Sequence, residues 1–291
     1  MNDLTRLPNG QERWIERPDG TRIRTVMGGD GPPTVVFVHG YGAHFGEWNV
    51  ITESLDDIGW VAFNLRGHGG STIGTDGVDT NAMAEDYKAV LETYDVRNGV
   101  LVGHSTGGFL GIRFLLEHPE VVAERLQGCV LVATFAGDVG RANPQNRIQI
   151  PLIQSGILVP SLSFRPLARA FVGSLCGDEF DSDYIDGFVQ AFRQADHRAL
   201  VPLLRALVVE NDYARLGEIT LPCSILVGEK DSTTPEFHAD DLHAGIRDSS
   251  LQRLPGKGHL LNWEAPKVVV RAIRELQSRV TLSKRQGARP E

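Results

Sequence analysis

The chain has 291 residues, 41% of them hydrophobic and 23% charged, with a formal net charge of −8. That make-up suits an ordinary globular protein with room for a full α/β domain and an insertion. The negative balance, with no basic run interleaved with aromatics, disfavours nucleic acid or an anionic membrane as a partner.

The first residues, Met1-Asn2-Asp3-Leu4-Thr5-Arg6, lack a basic region followed by an apolar core, so no signal peptide is expected. No apolar stretch reaches membrane-spanning length, and a cytoplasmic location is the default expectation. Arg13-Trp14-Ile15-Glu16 and residues 21–26, joined at Pro18-Asp19-Gly20, predict a β-hairpin. Thr34-Val35-Val36-Phe37-Val38 reads as a parallel strand buried on both faces. It ends in the turn His39-Gly40-Tyr41-Gly42. Such a turn at a strand's carboxyl end leaves backbone N–H groups pointing outward, and the Tyr41 N–H is the expected oxyanion donor. His39 is expected to shape this loop through a hydrogen bond. His44 and Phe45 follow on the same loop.

Residues 47–57 predict a helix, with Trp48, Ile51 and Leu55 at helical spacing. Residues 60–64 predict a strand. It runs into Leu65-Arg66-Gly67-His68-Gly69-Gly70-Ser71, which lacks the spacing and Gly-Lys-Ser/Thr ending of a P-loop. Arg66 and His68 are expected to anchor that loop. Asp79-Thr80 can cap a helix through Met83, Tyr87, Val90, Leu91 and Tyr94.

Val100-Leu101-Val102 then leads into Gly103-His104-Ser105-Thr106-Gly107-Gly108, followed by the helical pattern of residues 109–116. Strand, tight turn with a central serine, then helix is the setting in which G-x-S-x-G is a nucleophile elbow. Gly103 and Gly107 remove side chains that would collide at the turn. The turn lifts Ser105 and aims the helix N-terminus, with its free N–H groups, at the same point.

Residues 129–134 predict a further buried strand. Alternating strands and helices to this point predict a doubly wound, mostly parallel α/β sheet with flanking helices. From residue 136 to 215 no clean strand is legible. Helical segments at 146–157, 166–175, 182–195 and 197–209 predict an inserted helical cap over the sheet's carboxyl end. The core is then 1–135 and 216–281, with a disordered or expression-derived tail at 282–291. Strand character returns in Cys223-Ser224-Ile225-Leu226-Val227-Gly228, before Glu229-Lys230-Asp231, and in residues 250–255, before Gly256-Lys257-Gly258-His259. Pro266 opens a final helix.

Cys129, Cys176 and Cys223 form no C-x-x-C pair, and His238 and His243 lack the Glu of an H-E-x-x-H motif. Neither metal nor cofactor is expected. Cys129 and Cys223 are expected as reduced, buried thiols.

A serine needs a base, and the base needs a group that fixes its tautomer. Ser105, Asp231 and His259 each follow a predicted strand, so a parallel sheet puts them at one edge. Asp138 is the rival acid. In this order and context the chain resembles the α/β-hydrolase-fold superfamily. The match runs through His39-Gly40-Tyr41-Gly42, Asn64-Leu65-Arg66-Gly67-His68-Gly69, the elbow, Gly228-Glu229-Lys230-Asp231 and Gly256-Lys257-Gly258-His259. The resemblance implies Ser105 as nucleophile, His259 as base and Asp231 as orienting acid, with the Tyr41 and Thr106 N–H groups as the oxyanion hole. Asn64 departs from the Asp that the family often has there. Serine at the elbow argues against epoxide hydrolases and haloalkane dehalogenases, which use Asp.

The reading that follows is hydrolysis of a small or medium apolar carboxylic ester, a small-molecule substrate, by acyl-enzyme chemistry. Phe45, Phe109, Phe135 and Leu260 are the expected pocket residues, while Trp48 and Trp263 suit core packing equally well. Alternatives on the same triad are a cofactor-free haloperoxidase or perhydrolase and a C–C bond hydrolase. A ligand receptor on a hydrolase scaffold is a third class. Oligomeric state is not legible.

Overall fold

The computed structural model describes residues 4–287, with side chains through Arg279. Eight strands form one sheet: β1 (Gln11–Glu16), β2 (Arg22–Gly28), β3 (Val35–Val38), β4 (Trp60–Phe63), β5 (Gly99–His104), β6 (Leu126–Val132), β7 (Cys223–Gly228) and β8 (Ser249–Leu254). Their spatial order is β1-β2-β4-β3-β5-β6-β7-β8. The expected hairpin pairs antiparallel, β2 pairs antiparallel with β4, and every later pairing is parallel.

The central strands read as unbroken apolar runs because both faces of the sheet are covered. Val36 and Val38 pack in one cluster, Val35 and Phe37 in the other, and Leu101 and Val100 divide the same way. In chain order the helices are α1 (Asn49–Thr52), α2 (Thr80–Thr93), α3 (Thr106–Glu117), α4 (Pro119–Arg125), α5 (Pro144–Gln154), α6 (Leu158–Ser161), α7 (Arg165–Gly173), α8 (Asp183–Phe192), α9 (Val201–Val209), α10 (Glu236–Gly245), α11 (Leu261–Glu264) and α12 (Pro266–Gly287). α2 and α3 cover the first face, and α1 and α12 the second. Asp79 caps α2 by accepting from the Asn81 and Ala82 N–H groups. None of the described helices is long and apolar enough to cross a membrane.

The helix expected at 47–57 is instead a 3-10 turn, Phe45–Trp48, and the single turn of α1. Asn49 Oδ1 takes the Val50 N–H, and Thr52 Oγ1 donates to the Trp48 and Asn49 carbonyls, so side chains compete with a longer helical ladder. The final helix continues through Gly287, past the boundary drawn at 282. Residues 288–291 of the expected tail lie outside the described residues.

Helices α5 to α9 lie between β6 and β7. Their base is closed where Gly137 bridges Asn211, flanked by the hydrogen bonds Asp138 N–H to Glu210 O and Asp212 N–H to Ala136 O. Ile153, Val172, Leu175, Phe192, Leu200 and Leu204 from this block join the same apolar cluster as α2 and α3. The block is therefore packed as an extension of the core.

Candidate active site

The carboxyl ends of β3, β5, β7 and β8 carry the residues singled out above. At β5, Ser105 has φ 50° and ψ −118°, a left-handed backbone that is strained for a non-glycine residue. Its neighbours explain how it is held. A Cβ on Gly103 would lie 2.6 Å from the Gly108 Cα, and one on Gly107 would lie 2.5 Å from the His39 carbonyl oxygen. The two glycines are required by close backbone approach. Ser105 N–H donates to the Val132 carbonyl and Thr134 Oγ1 to the Ser105 carbonyl, fixing the turn against β6.

Asp231 sits in the turn after β7, with Oδ1 accepting the Thr233 and Thr234 N–H groups, each at 2.8 Å. Its Oδ2 accepts Thr234 Oγ1–H at 2.7 Å and lies 2.9 Å from His259 Nδ1. A carboxylate accepts only, so Nδ1 carries the proton and His259 Nε2 is left with its lone pair. Ser105 and His259 border the same cavity, and Ser105 Oγ makes no hydrogen bond among the described residues. Asp138, the rival acid, lies at the closed base of the helical block with its N–H on the Glu210 carbonyl.

The Tyr41 N–H has no acceptor among the described residues, while the Ala43 N–H of the same turn bonds the Gly40 carbonyl. Thr106 is the first residue of α3, where an N–H has no acceptor within the helix. Both residues border the cavity. His39 bonds its own loop as expected. Nδ1 lies 2.7 Å from the Gly40 carbonyl, and Nε2 accepts the Leu65 N–H at 3.0 Å. Burial holds its imidazole well below the usual range, so it stays neutral. Arg66 anchors its loop through Asp19 and Asp86, at 2.6 Å each. Asn64 ties two loops together: Oδ1 accepts the Phe45 N–H at 2.7 Å and Nδ2 donates to the Gly69 carbonyl at 2.8 Å. The second bond needs an amide donor, which an Asp would not supply.

The cavity has a volume of about 110 Å³. Phe135 and Leu260 line it. Phe45 and Phe109 do not, which corrects the expectation. Phe45 is fully buried in the cluster under α1 and α12, with the Arg24 guanidinium over its ring at 5.2 Å. Phe109 stacks behind Phe135 at 5.3 Å, one layer from the cavity. Trp263 lines the cavity and Trp48 is core. Much of the apolar wall comes from residues that helical spacing alone could not separate from packing, Ile153, Phe171, Phe188, Phe192, Leu204 and Leu207, and Glu47, His104, Asn146 and Gln149 add polar groups to it. No Arg or Lys is among the described residues of this wall.

The helical block also grips the site's turns. The His259 N–H donates to the Leu175 carbonyl at 2.7 Å, and Ser232 Oγ donates to the Ser174 carbonyl. Asn143 Nδ2 donates to the Ser232 and Thr233 carbonyls, and Asn146 Nδ2 to those of Val139 and Thr233. Glu264 accepts the N–H groups of Gly177 and Gly258, and burial raises its carboxyl above the usual range. His197 Nε2 lies 2.6 Å from the Phe192 carbonyl and so is the donor there. Its Nδ1 then accepts the Tyr41 O–H at 3.0 Å.

The model of the Alpha/beta hydrolase family matches residues 35–272. The AB hydrolase superfamily protein YisY of Bacillus subtilis (strain 168) is 27% identical over 234 residues, 79% of this chain and 86% of that protein. An esterase from Exiguobacterium antarcticum superposes with a TM-score of 0.78 at 22% identity, over 92% of this chain and all, 100%, of the other. A bromoperoxidase from Bacillus anthracis superposes at 0.80 with 19% identity and the same coverage, 92% and 100%. At these identities the two structures speak for the fold alone. A serine on a strained strand-to-helix turn, in a doubly wound sheet matched by the family model over most of its length, makes this chain a member of the alpha/beta hydrolase family.

Proposed function

We propose that the chain hydrolyses neutral carboxylic esters of small or medium apolar acids through an acyl-enzyme on Ser105. The observation that carries this reading is the Asp231–His259 hydrogen bond of 2.9 Å, beside a cavity that His259 shares with the strained Ser105. With Nδ1–H held by Asp231, His259 Nε2 takes the Ser105 hydroxyl proton as Oγ attacks the ester carbonyl. The carbonyl oxygen becomes an oxyanion, stabilised by the Tyr41 and Thr106 N–H groups; one such donor is worth roughly 10²–10³-fold in rate. The imidazolium protonates the departing alkoxide. Water then enters, gives its proton to Nε2 and attacks the acyl carbonyl. The second oxyanion collapses, and Nε2–H returns the proton to Ser105 Oγ.

The apolar wall supports an apolar acyl or alkyl group, and the lack of Arg or Lys in its described residues supports a neutral substrate over a doubly anionic one. The test is pre-steady-state hydrolysis of p-nitrophenyl esters. A burst of p-nitrophenol equal to the enzyme concentration, absent in Ser105→Ala, is the expected result. Unchanged turnover in that variant contradicts it. Peracid formation outrunning hydrolysis assigns perhydrolysis to the same acyl-enzyme. Cleavage of a diketone in place of esters assigns C–C hydrolysis. Ligand-induced thermal stabilisation without turnover assigns a receptor.

A further inference from the structure

A second acid–histidine pair borders the same cavity beside the proposed triad, and the acyl-transfer steps do not use it. Glu47 and His104 are both at least nine-tenths buried, and their contacts join three separate turns. His104 precedes Ser105 at the elbow. Its Nε2 lies 3.1 Å from the His259 carbonyl oxygen, with the two rings 4.9 Å apart. Its Nδ1 faces both Glu47 oxygens, at 3.2 and 3.3 Å. Glu47 Oε1 also accepts the Gly40 N–H at 3.2 Å, one residue before the oxyanion donor Tyr41. The Glu47 carbonyl accepts Asn262 Nδ2–H and Trp263 Nε1–H, just beyond His259.

Counting protons constrains the pair. The His259 carbonyl only accepts, so Nε2 carries a hydrogen. An ionised Glu47 beside an imidazole protonated at Nε2 alone would set a lone pair against a carboxylate where little solvent reaches, which is costly. One further proton must lie between Nδ1 and the carboxylate. We infer that Glu47 and His104 form a proton-sharing positioning pair that holds the oxyanion turn, the elbow and the base turn in mutual register. This rests on Ser105 being the nucleophile.

The surroundings agree. The groups facing His104 are Glu47 from the 3-10 turn, His259 and Asp231 from the two triad turns, and His39 from the oxyanion turn. Burial opposes a charge on His104, but Glu47 and the His259 carbonyl outweigh it and hold the imidazole above its usual range. Sharing one proton keeps the pair neutral overall, so it adds no net charge beside His259. A folded-state value raised above the unfolded one means the pair's stabilisation is full below about pH 6.5. It is lost as pH rises through the raised value.

The test compares Glu47→Gln with Glu47→Ala. A glutamine can accept the Gly40 N–H and donate to Nδ1 of a neutral His104, so it keeps the three turns in place without titrating. The readouts are kcat and KM on a p-nitrophenyl ester, and the rate at which a fluorophosphonate labels Ser105, each across pH. Expected for Glu47→Ala is a roughly 10–100-fold loss in kcat with KM little changed, from misplacement of the reacting groups. Glu47→Gln restores most of that loss and lacks the alkaline decline of the wild type. A folded Glu47→Ala labelled as fast as wild type overturns the proposal, as does an alkaline decline retained in Glu47→Gln. If Glu47→Ala does not fold, the Glu47→Gln profile decides alone. If the wild type is not labelled, the acyl-enzyme reading fails instead. The pair is then judged by thermal unfolding across pH: a wild-type Tm falling relative to Glu47→Gln as pH rises supports it, and parallel curves overturn it.

Discussion

The sheet and the helical block between β6 and β7 solve opposite problems. At the sheet's carboxyl edge, polar side chains are buried and matched: Asp231, His259, Asn64 and Arg66 each meet named partners. The helical block leaves apolar surface open. Ile148, Leu152, Ile157, Phe164, Leu167, Val208 and Val209 are exposed there, and Trp14 is the only large exposed hydrophobic among the described residues elsewhere. The edge is built to hold geometry, whereas the block is built to present apolar surface, inward to the cavity and outward to its surroundings. Even so, the block supplies the Leu175 carbonyl to His259 and the two asparagines to the Asp231 turn. The edge that carries the proposed triad is thus completed by the region that lines the cavity.

The division is tested most severely by Asp231→Asn. The amide leaves His259 without a carboxylate to fix its tautomer and stabilise its charge, and kcat on p-nitrophenyl acetate should fall about 10⁴-fold with the fold intact. A loss below tenfold would remove Asp231 from the mechanism. Phe188→Ala acts on the other region. Phe188 lines the cavity and stacks on Phe192 at 5.4 Å. Its loss should lower kcat/KM for longer acyl chains roughly 10–100-fold and leave the acetate nearly unchanged. An equal loss on both substrates would break the division of labour. Asn146→Ala probes the seam. It strands the Val139 carbonyl and leaves that of Thr233 to Asn143 alone, so stability should drop about 1–3 kcal/mol, with kcat down about tenfold as the acid turn loosens. Denaturant unfolding and ester kinetics on one preparation check both. Smallest of all, Phe164→Ser on the outer face should shift stability by no more than about 0.5 kcal/mol and leave kcat alone.

The sequence made legible what is local. Gly103 and Gly107 around Ser105, the unbroken apolar runs and the turns after β7 and β8 each lie within a few neighbouring residues, where sterics and periodicity speak directly. Pocket membership followed only in part, for Phe135 and Leu260, since it depends on which way a turn faces. Phe45 and Glu47 share one 3-10 turn, yet Phe45 enters the core while Glu47 reaches the turn after β3. The Glu47–His104 pair joins segments 57 residues apart, and His104 meets His259 across 155. No spacing rule spans such distances. The grip of Asn143 and Asn146 on the acid turn was hidden for the same reason, in a segment whose helical pattern signalled only packing.

The central claim is that Ser105 carries the acyl group. The direct measurement is intact-protein mass spectrometry after brief exposure to a fluorophosphonate or a slow ester, followed by peptide mapping. One adduct per chain is expected, on Ser105, and none in Ser105→Ala. An adduct on another residue, or turnover with Ser105 unmodified, would contradict it.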